Sequence, residues 1–115
     1  VIADAVLRDE IVVNEMQKRA FNLTQARAVA ESEADTPGAA TSIFNYIEAE
    51  YVKDQLELQN RIRGTQAFGW EGDSFTSEEI GMCRLNLEAK SISIAGGSNE
   101  IQLNIIAKRV LGLPD

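Results

Sequence analysis

Residues 1–33 contain neither glycine nor proline, and their apolar side chains recur close to every 3.6 residues, at Ile2, Val6, Val13, Met16, Ala20, Leu23 and Ala30. A chain that opens this way commits its first third to one long helix, and a helix with an apolar stripe needs a partner to bury it. Val1 enters this periodicity directly, with no initiating methionine and no capping residue before it. That start predicts a piece of a longer chain.

The stretch Asp35-Thr36-Pro37-Gly38 stops the first helix, and Thr36 followed by Pro37 suits the N-cap and first position of a second. The second helix is predicted to run to about Arg63, with Ile43, Phe44, Ile47, Tyr51, Val52, Leu56, Leu58 and Ile62 as its stripe. Ile43 and Tyr51 broaden that stripe beyond one narrow face. From Gly64 to Phe75 the periodicity vanishes into a loop rich in glycine and aromatics. Thr76 and Glu79 form a capping-box pattern ahead of Ile80, Cys83 and Leu87, which predicts a third helix from Ser77 to about Ile92. Ser98 then caps a last helix carrying Ile101, Ile105, Ile106, Val110 and Leu111, ended by Gly112 and Pro114. Four helices with no strand signal predict an all-α fold, an antiparallel four-helix bundle, with residues 1–115 as a single domain.

Composition narrows the chemistry. The 115 residues, 44% hydrophobic, suit one small core that buries roughly two thirds of the unfolded chain's surface. Eleven basic against eighteen acidic side chains give a net charge of -7, which repels phosphate backbones and anionic lipid, so no nucleic-acid partner is expected. The chain has no histidine and one cysteine, Cys83, which rules out an internal disulfide, the usual zinc ligand sets and Ser/His/Asp or Cys/His catalysis; no metal site is expected. No run approaches the roughly 20 apolar residues that cross a bilayer, and the acidic N-terminus lacks the basic and apolar regions of a signal peptide. A soluble domain without membrane insertion follows.

One segment carries chemistry. Ala95-Gly96-Gly97-Ser98 places two glycines before a capping serine, which lets the backbone approach a ligand closely and presents free N–H groups to anionic oxygens. The plainer reading is that the glycines only turn the chain between two helices. The longer string from Ile94 to Pro114, Ile-Ala-Gly-Gly-Ser-Asn-Glu-Ile-Gln-Leu-Asn-Ile-Ile-Ala-Lys-Arg-Val-Leu-Gly-Leu-Pro, closely resembles the end of the acyl-CoA dehydrogenases. Ala40-Thr41-Ser42-Ile43 and the stretch from Gly64 to Asp73 fall in that family's order as well.

The resemblance implies the C-terminal bundle of an enzyme whose earlier domains hold much of a flavin site. It implies FAD as cofactor and α,β-dehydrogenation of an acyl-CoA thioester, as in fatty acid metabolism. A carboxylate removes the α proton and the β hydride goes to flavin N5. A fragment such as this is expected to be inactive alone. The turn before the final helix would give Gly97 to the substrate and Ser98, Asn99 and Glu100 to FAD. A Gln-x-x-Gly-Gly stretch that meets a neighbouring subunit's FAD would align with Arg61 through Thr65, where Gly64 alone matches; Arg61 or Arg63 remains able to meet a pyrophosphate.

The catalytic base of many members falls at Gly96, which has no carboxylate. Other members carry the base on an earlier helix, and a chain lacking it would be the non-catalytic bundle of a heteromeric partner subunit. Expected partners are the acyl-CoA, an electron-transfer acceptor protein and further subunits, as a homo- or hetero-oligomer, a dimer or tetramer. The expected setting is a bacterial cytoplasm or a mitochondrial matrix, not secretion.

Other residues have blander readings. Glu48, Glu50, Glu57, Glu78, Glu79 and Glu88 fit solvated helix faces or caps and receive no catalytic role. Phe68 and Trp70 are expected to bury against the end of the bundle more than to cover an adenine or pack on a neighbouring subunit. Cys83 reads as a small core residue. Glu100 also suits a first-turn acid facing the helix dipole. A free-standing helical interaction module would require the terminal string to be coincidental.

Overall fold

The computed structural model describes residues 3–33 and 40–114, and within them every regular element is helical. Helix α1 spans Ala5–Glu33, α2 Ala40–Arg63, α3 Ser77–Ala89 and α4 Asn99–Ile105. The all-α, four-helix reading holds. Helix α1 does begin with a cap: Asp4 Oδ1 accepts from the backbone N–H of Val6 at 2.9 Å and of Leu7 at 3.2 Å. The expected Thr36–Pro37 start of the second helix lies outside the described residues.

The boundaries of the later helices follow their chemistry. The capping box at α3 is complete: Glu79 N–H donates to Thr76 Oγ1 at 3.2 Å, and Thr76 N–H donates to Glu79 Oε2 at 2.7 Å. Helix α3 tightens into a 3-10 turn over Lys90–Ser93, which accounts for the longer helix expected from periodicity. Helix α4 widens into a π turn over Ile106–Val110 and ends where Gly112 takes φ +65°.

Helix α2 is the centre of the molecule, packing against α1, α3 and α4. Its broad apolar stripe suits three neighbours. Both α1 and α3 run antiparallel to it: Glu10 near the start of α1 pairs with Arg61 near the end of α2, and Phe21 meets Phe44 and Tyr51 further back. On the α3 side, Arg63 meets Glu78 and Lys90 meets Glu57. The 29 residues of α1 set the 53 Å long axis, since a helix of that length spans about 44 Å.

The expected inward stripe of α1 is not the one that faces α2. Val6, Val13, Met16 and Leu23 are exposed, as are Val12 and Val29. The more covered residues are Leu7, Glu10, Ile11, Asn14, Phe21, Gln25 and Ala28, which share one helical face and include two amides and a carboxylate. Apolar groups lie all round α1, so periodicity did not single out a face. Packing on α2 selected the face with Phe21, whose ring lies edge-on to Phe44 at 5.9 Å and stacked on Tyr51 at 6.4 Å.

Among the described residues no helix is long and apolar enough to cross a membrane. Phe68 and Trp70 do not bury as expected: Phe68 is 79% and Trp70 52% exposed. The 3-10 turn Gly64–Phe68 directs Ala67 inward and so turns Phe68 outward. Trp70 instead lies under the Arg84 guanidinium, 4.9 Å from its ring centroid. Phe75 takes the inner place, against Gly69, where a Cβ would run into its ring. Cys83 is only partly covered.

Candidate functional site

The turn joining α3 to α4 is built from two successive left-handed residues, Gly96 at φ +73° and Gly97 at φ +107°. The backbone there disfavours side chains, and a Cβ would also push aside the tip of a neighbouring side chain. A Cβ on Gly96 would meet Asn45 Nδ2 at 2.8 Å, and one on Gly97 would meet Gln102 Nε2 at 2.9 Å. Gln102, only 6% exposed, donates from Nε2 to Gly96 O at 3.0 Å and braces the turn from inside.

Ser98 then starts α4, its Oγ accepting from Ile101 N–H at 3.4 Å. Glu100 follows on the surface in the first turn. Hydrogen bonding from the Ser98 side chain, and then from its own backbone N–H, holds the Glu100 carboxyl below the ordinary carboxylate range. Its carboxylate is therefore anionic at neutral pH, which suits both the dipole reading and a contact to a ligand hydroxyl.

Asn99 is tied across the fold. Its Nδ2 donates to Glu50 Oε1 at 2.5 Å, and the same oxygen accepts from Lys53 Nζ at 2.6 Å. The Oδ1 of Asn99 is buried and has no partner. Residues 96–100 thus form one cluster beside the first half of α2, tied to Glu50 through Asn99 and braced by Gln102 of α4.

Arg61 and Gly64 lie elsewhere. About 16 Å of helix separates Glu50 from Arg61 at 1.5 Å per residue. Arg61 is engaged by Glu10 on α1 at 2.5 Å, and Gly64, at φ +61°, starts the 3-10 turn with open space where a Cβ would stand. The predicted site residues therefore form two groups, one at the α3–α4 turn and one at the end of α2. Arg63 spends its charge on Glu78 at 3.0 Å.

Three residues of the turn cluster carried no sequence expectation of a site role: Asn45, Lys53 and Gln102. Glu50 was expected on a solvated face. Gln102 lay within the quoted terminal string, three residues past the asparagine, and a buried amide beside a glycine turn is a signal worth reading. Glu50 and Asn45 gave none, because their partners are 49 and 51 positions away. The other acids match their plain readings: Glu79 caps α3, Glu78 meets Arg63, and Glu57 meets Lys90 at 2.6 Å.

The family model described as the acyl-CoA dehydrogenase C-terminal domain matches residues 1–111. The acyl-CoA dehydrogenase IpdE1 of Mycolicibacterium smegmatis is 31% identical over 111 residues, covering 96% of this chain and 26% of that protein. The acyl-CoA dehydrogenase IpdE1 of Mycobacterium tuberculosis is 68% identical over 31 residues, which is 27% of this chain and 8% of that protein. This chain thus spans about a quarter of the length of the first relative and less of the second. No solved structure matches it. With that family model matched over residues 1–111 of an all-helical chain, this chain belongs to the acyl-CoA dehydrogenase family as its C-terminal domain.

Proposed function

We propose that this chain is the C-terminal helical domain of an FAD-dependent enzyme that introduces an α,β double bond into an acyl-CoA thioester. The observation that carries the reading is the braced turn at residues 96–100. Its residues fit the cofactor in one specific respect: Asn99 Oδ1 is a buried acceptor that lacks a donor. It is one of seven buried side-chain atoms without a partner among the described residues, and the one that stands in this turn, where a bound donor would meet it.

Ser98, Asn99 and Glu100 would hold FAD, and Gly97, with no side chain in the way, would let the substrate lie against the backbone. Bound there, FAD supplies a hydride acceptor. Arg61 and Gly64, at the far end of α2, would serve a second FAD contact made between subunits. Arg61 already answers Glu10, so a pyrophosphate there must share the guanidinium's remaining donors.

A second reading is favoured by Gly96: the chain belongs to the non-catalytic member of a heteromeric dehydrogenase. A general base must come within about 2.6–3.2 Å of the proton it removes. The side of Gly96 where a side chain would project faces the Asn45 amide, which cannot take that proton. Catalysis by the parent chain therefore needs a carboxylate from outside these residues.

Two experiments test the readings. Flavin titration of the folded 115-residue chain, repeated with its upstream portion attached, should give FAD binding only in the longer form. Tight binding by the short chain alone would make it an independent flavin module instead. Mixing the FAD-loaded parent with acyl-CoA should bleach the flavin if the parent supplies its own base; bleaching only after a second subunit is added would establish the partner reading.

A further inference from the structure

The bond between Asn99 and Glu50 does more than fasten the turn. An ionised carboxylate only accepts hydrogen bonds, so it can be approached only by the nitrogen of the Asn99 amide. Glu50 Oε1 takes that nitrogen at 2.5 Å, and Lys53 Nζ, one turn along α2, holds the same oxygen at 2.6 Å. The amide is thereby fixed in one of its two orientations. Its oxygen faces away from Glu50, buried and without a donor.

We propose that Glu50 is a positioning residue that makes Asn99 an acceptor at the flavin site. The inference rests on the flavin reading given above, and it narrows it: the part of FAD that meets Asn99 must carry a donor, an O–H of the ribityl chain or an N–H of a ring. Pyrophosphate oxygens, which only accept, are excluded from that place. Lys53 keeps Glu50 on station and acts on Asn99 only through it. Asn99 itself has no freedom to flip and offer its NH2 to a phosphate, because that group is committed to Glu50.

The test uses the full-length parent protein, stripped of flavin and titrated with FAD, with affinity read from flavin fluorescence and apo-protein stability read in parallel. Asn99→Ala, which leaves the Glu50–Lys53 pair in place, should weaken FAD by about tenfold, the scale of one lost hydrogen bond to a buried acceptor. Glu50→Gln should weaken FAD similarly, since a glutamine no longer dictates the orientation of the amide. The double variant should be no weaker than Asn99→Ala alone, because Glu50 acts only through Asn99. Glu48→Gln, an exposed acid two positions away, should leave affinity unchanged.

Additive losses in the double variant would overturn the proposal, as would an Asn99→Ala protein that binds FAD normally. That second result stands even if Glu50→Gln fails to fold. A merely structural Glu50 would lower apo-protein stability without any coupling to Asn99 in FAD affinity. A parent protein that binds no FAD at all would overturn the flavin reading as well, whereas normal FAD binding by every variant would sink this inference alone.

Discussion

The cluster of α2, α3 and α4 and the single helix α1 solve the same packing problem differently. In the cluster the most buried apolar residues are small: Ala49 on α2, Ala67 in the 3-10 turn and Ala89 at the end of α3 are almost wholly covered, and Leu56 is 7% exposed. Small residues let backbones approach closely, so polar side chains can reach from one helix to the next. That closeness accompanies the reach of Glu50 on α2 to Asn99 on α4. Helix α1 has no alanine in that role. Its most buried residue is Asn14, and it meets α2 through the rings of Phe21, Phe44 and Tyr51 and the Glu10–Arg61 pair. Close packing built the candidate site, and ring-mediated packing left α1 with a wide exposed apolar surface.

If that contrast is right, truncation should hurt in one region and not the other. Leu56→Ala removes a covered side chain and should cost about 2–5 kcal/mol in urea unfolding. Gly97→Ala forces a Cβ into a left-handed position beside Gln102 and should cost about 1–3 kcal/mol, read as a lower melting temperature. Thr76→Ala removes half of the capping box and should cost about 1 kcal/mol.

The pH dependence is smaller. Hydrogen bonding and then charge from Lys90 lower the Glu57 pKa, and backbone and then side-chain bonding to Thr76 lower that of Glu79. A depressed folded-state pKa stabilises above the unfolded value and is lost as pH falls through the folded one. Stability should therefore decline below about pH 4.3, the ordinary glutamate value. Both members of the Glu57–Lys90 pair are largely exposed, so Lys90→Met should reduce that decline by no more than about 1 kcal/mol and added salt should screen it. The smallest effect belongs to Met16→Ala, on the outer face of α1 and 65% exposed: about 0.5 kcal/mol or less. A loss there as large as that of Leu56→Ala would break the comparison, because it would mean that the outer face of α1 is covered.

Much of this could be read before any coordinates. The α3 capping box needs residues only three apart, so Thr76 and Glu79 declared it, and Ser98 declared the start of α4 in the same way. The broad stripe of α2 announced a helix with several neighbours. The inward face of α1 was not legible, because valine, methionine and leucine surround that helix and period alone cannot rank its faces. The fate of Phe68 was hidden as well, since it depends on one 3-10 turn placing Ala67 inside. At the candidate site, the terminal string pointed to Gly97 through Glu100, while the brace that orients them joins residues some 50 positions apart.

The division has a physical basis. Helix propensity, capping and the stop at a glycine or proline act over three or four residues, so the amino-acid sequence alone determined four helices, their main boundaries and the glycine turn with its capping serine. Which face of α1 is covered, and which end of the Asn99 amide is left without a donor, depend on atoms brought together from distant positions on α2. Tertiary packing alone decided those, because a carboxylate can orient an amide only once the fold has placed it within hydrogen-bond reach.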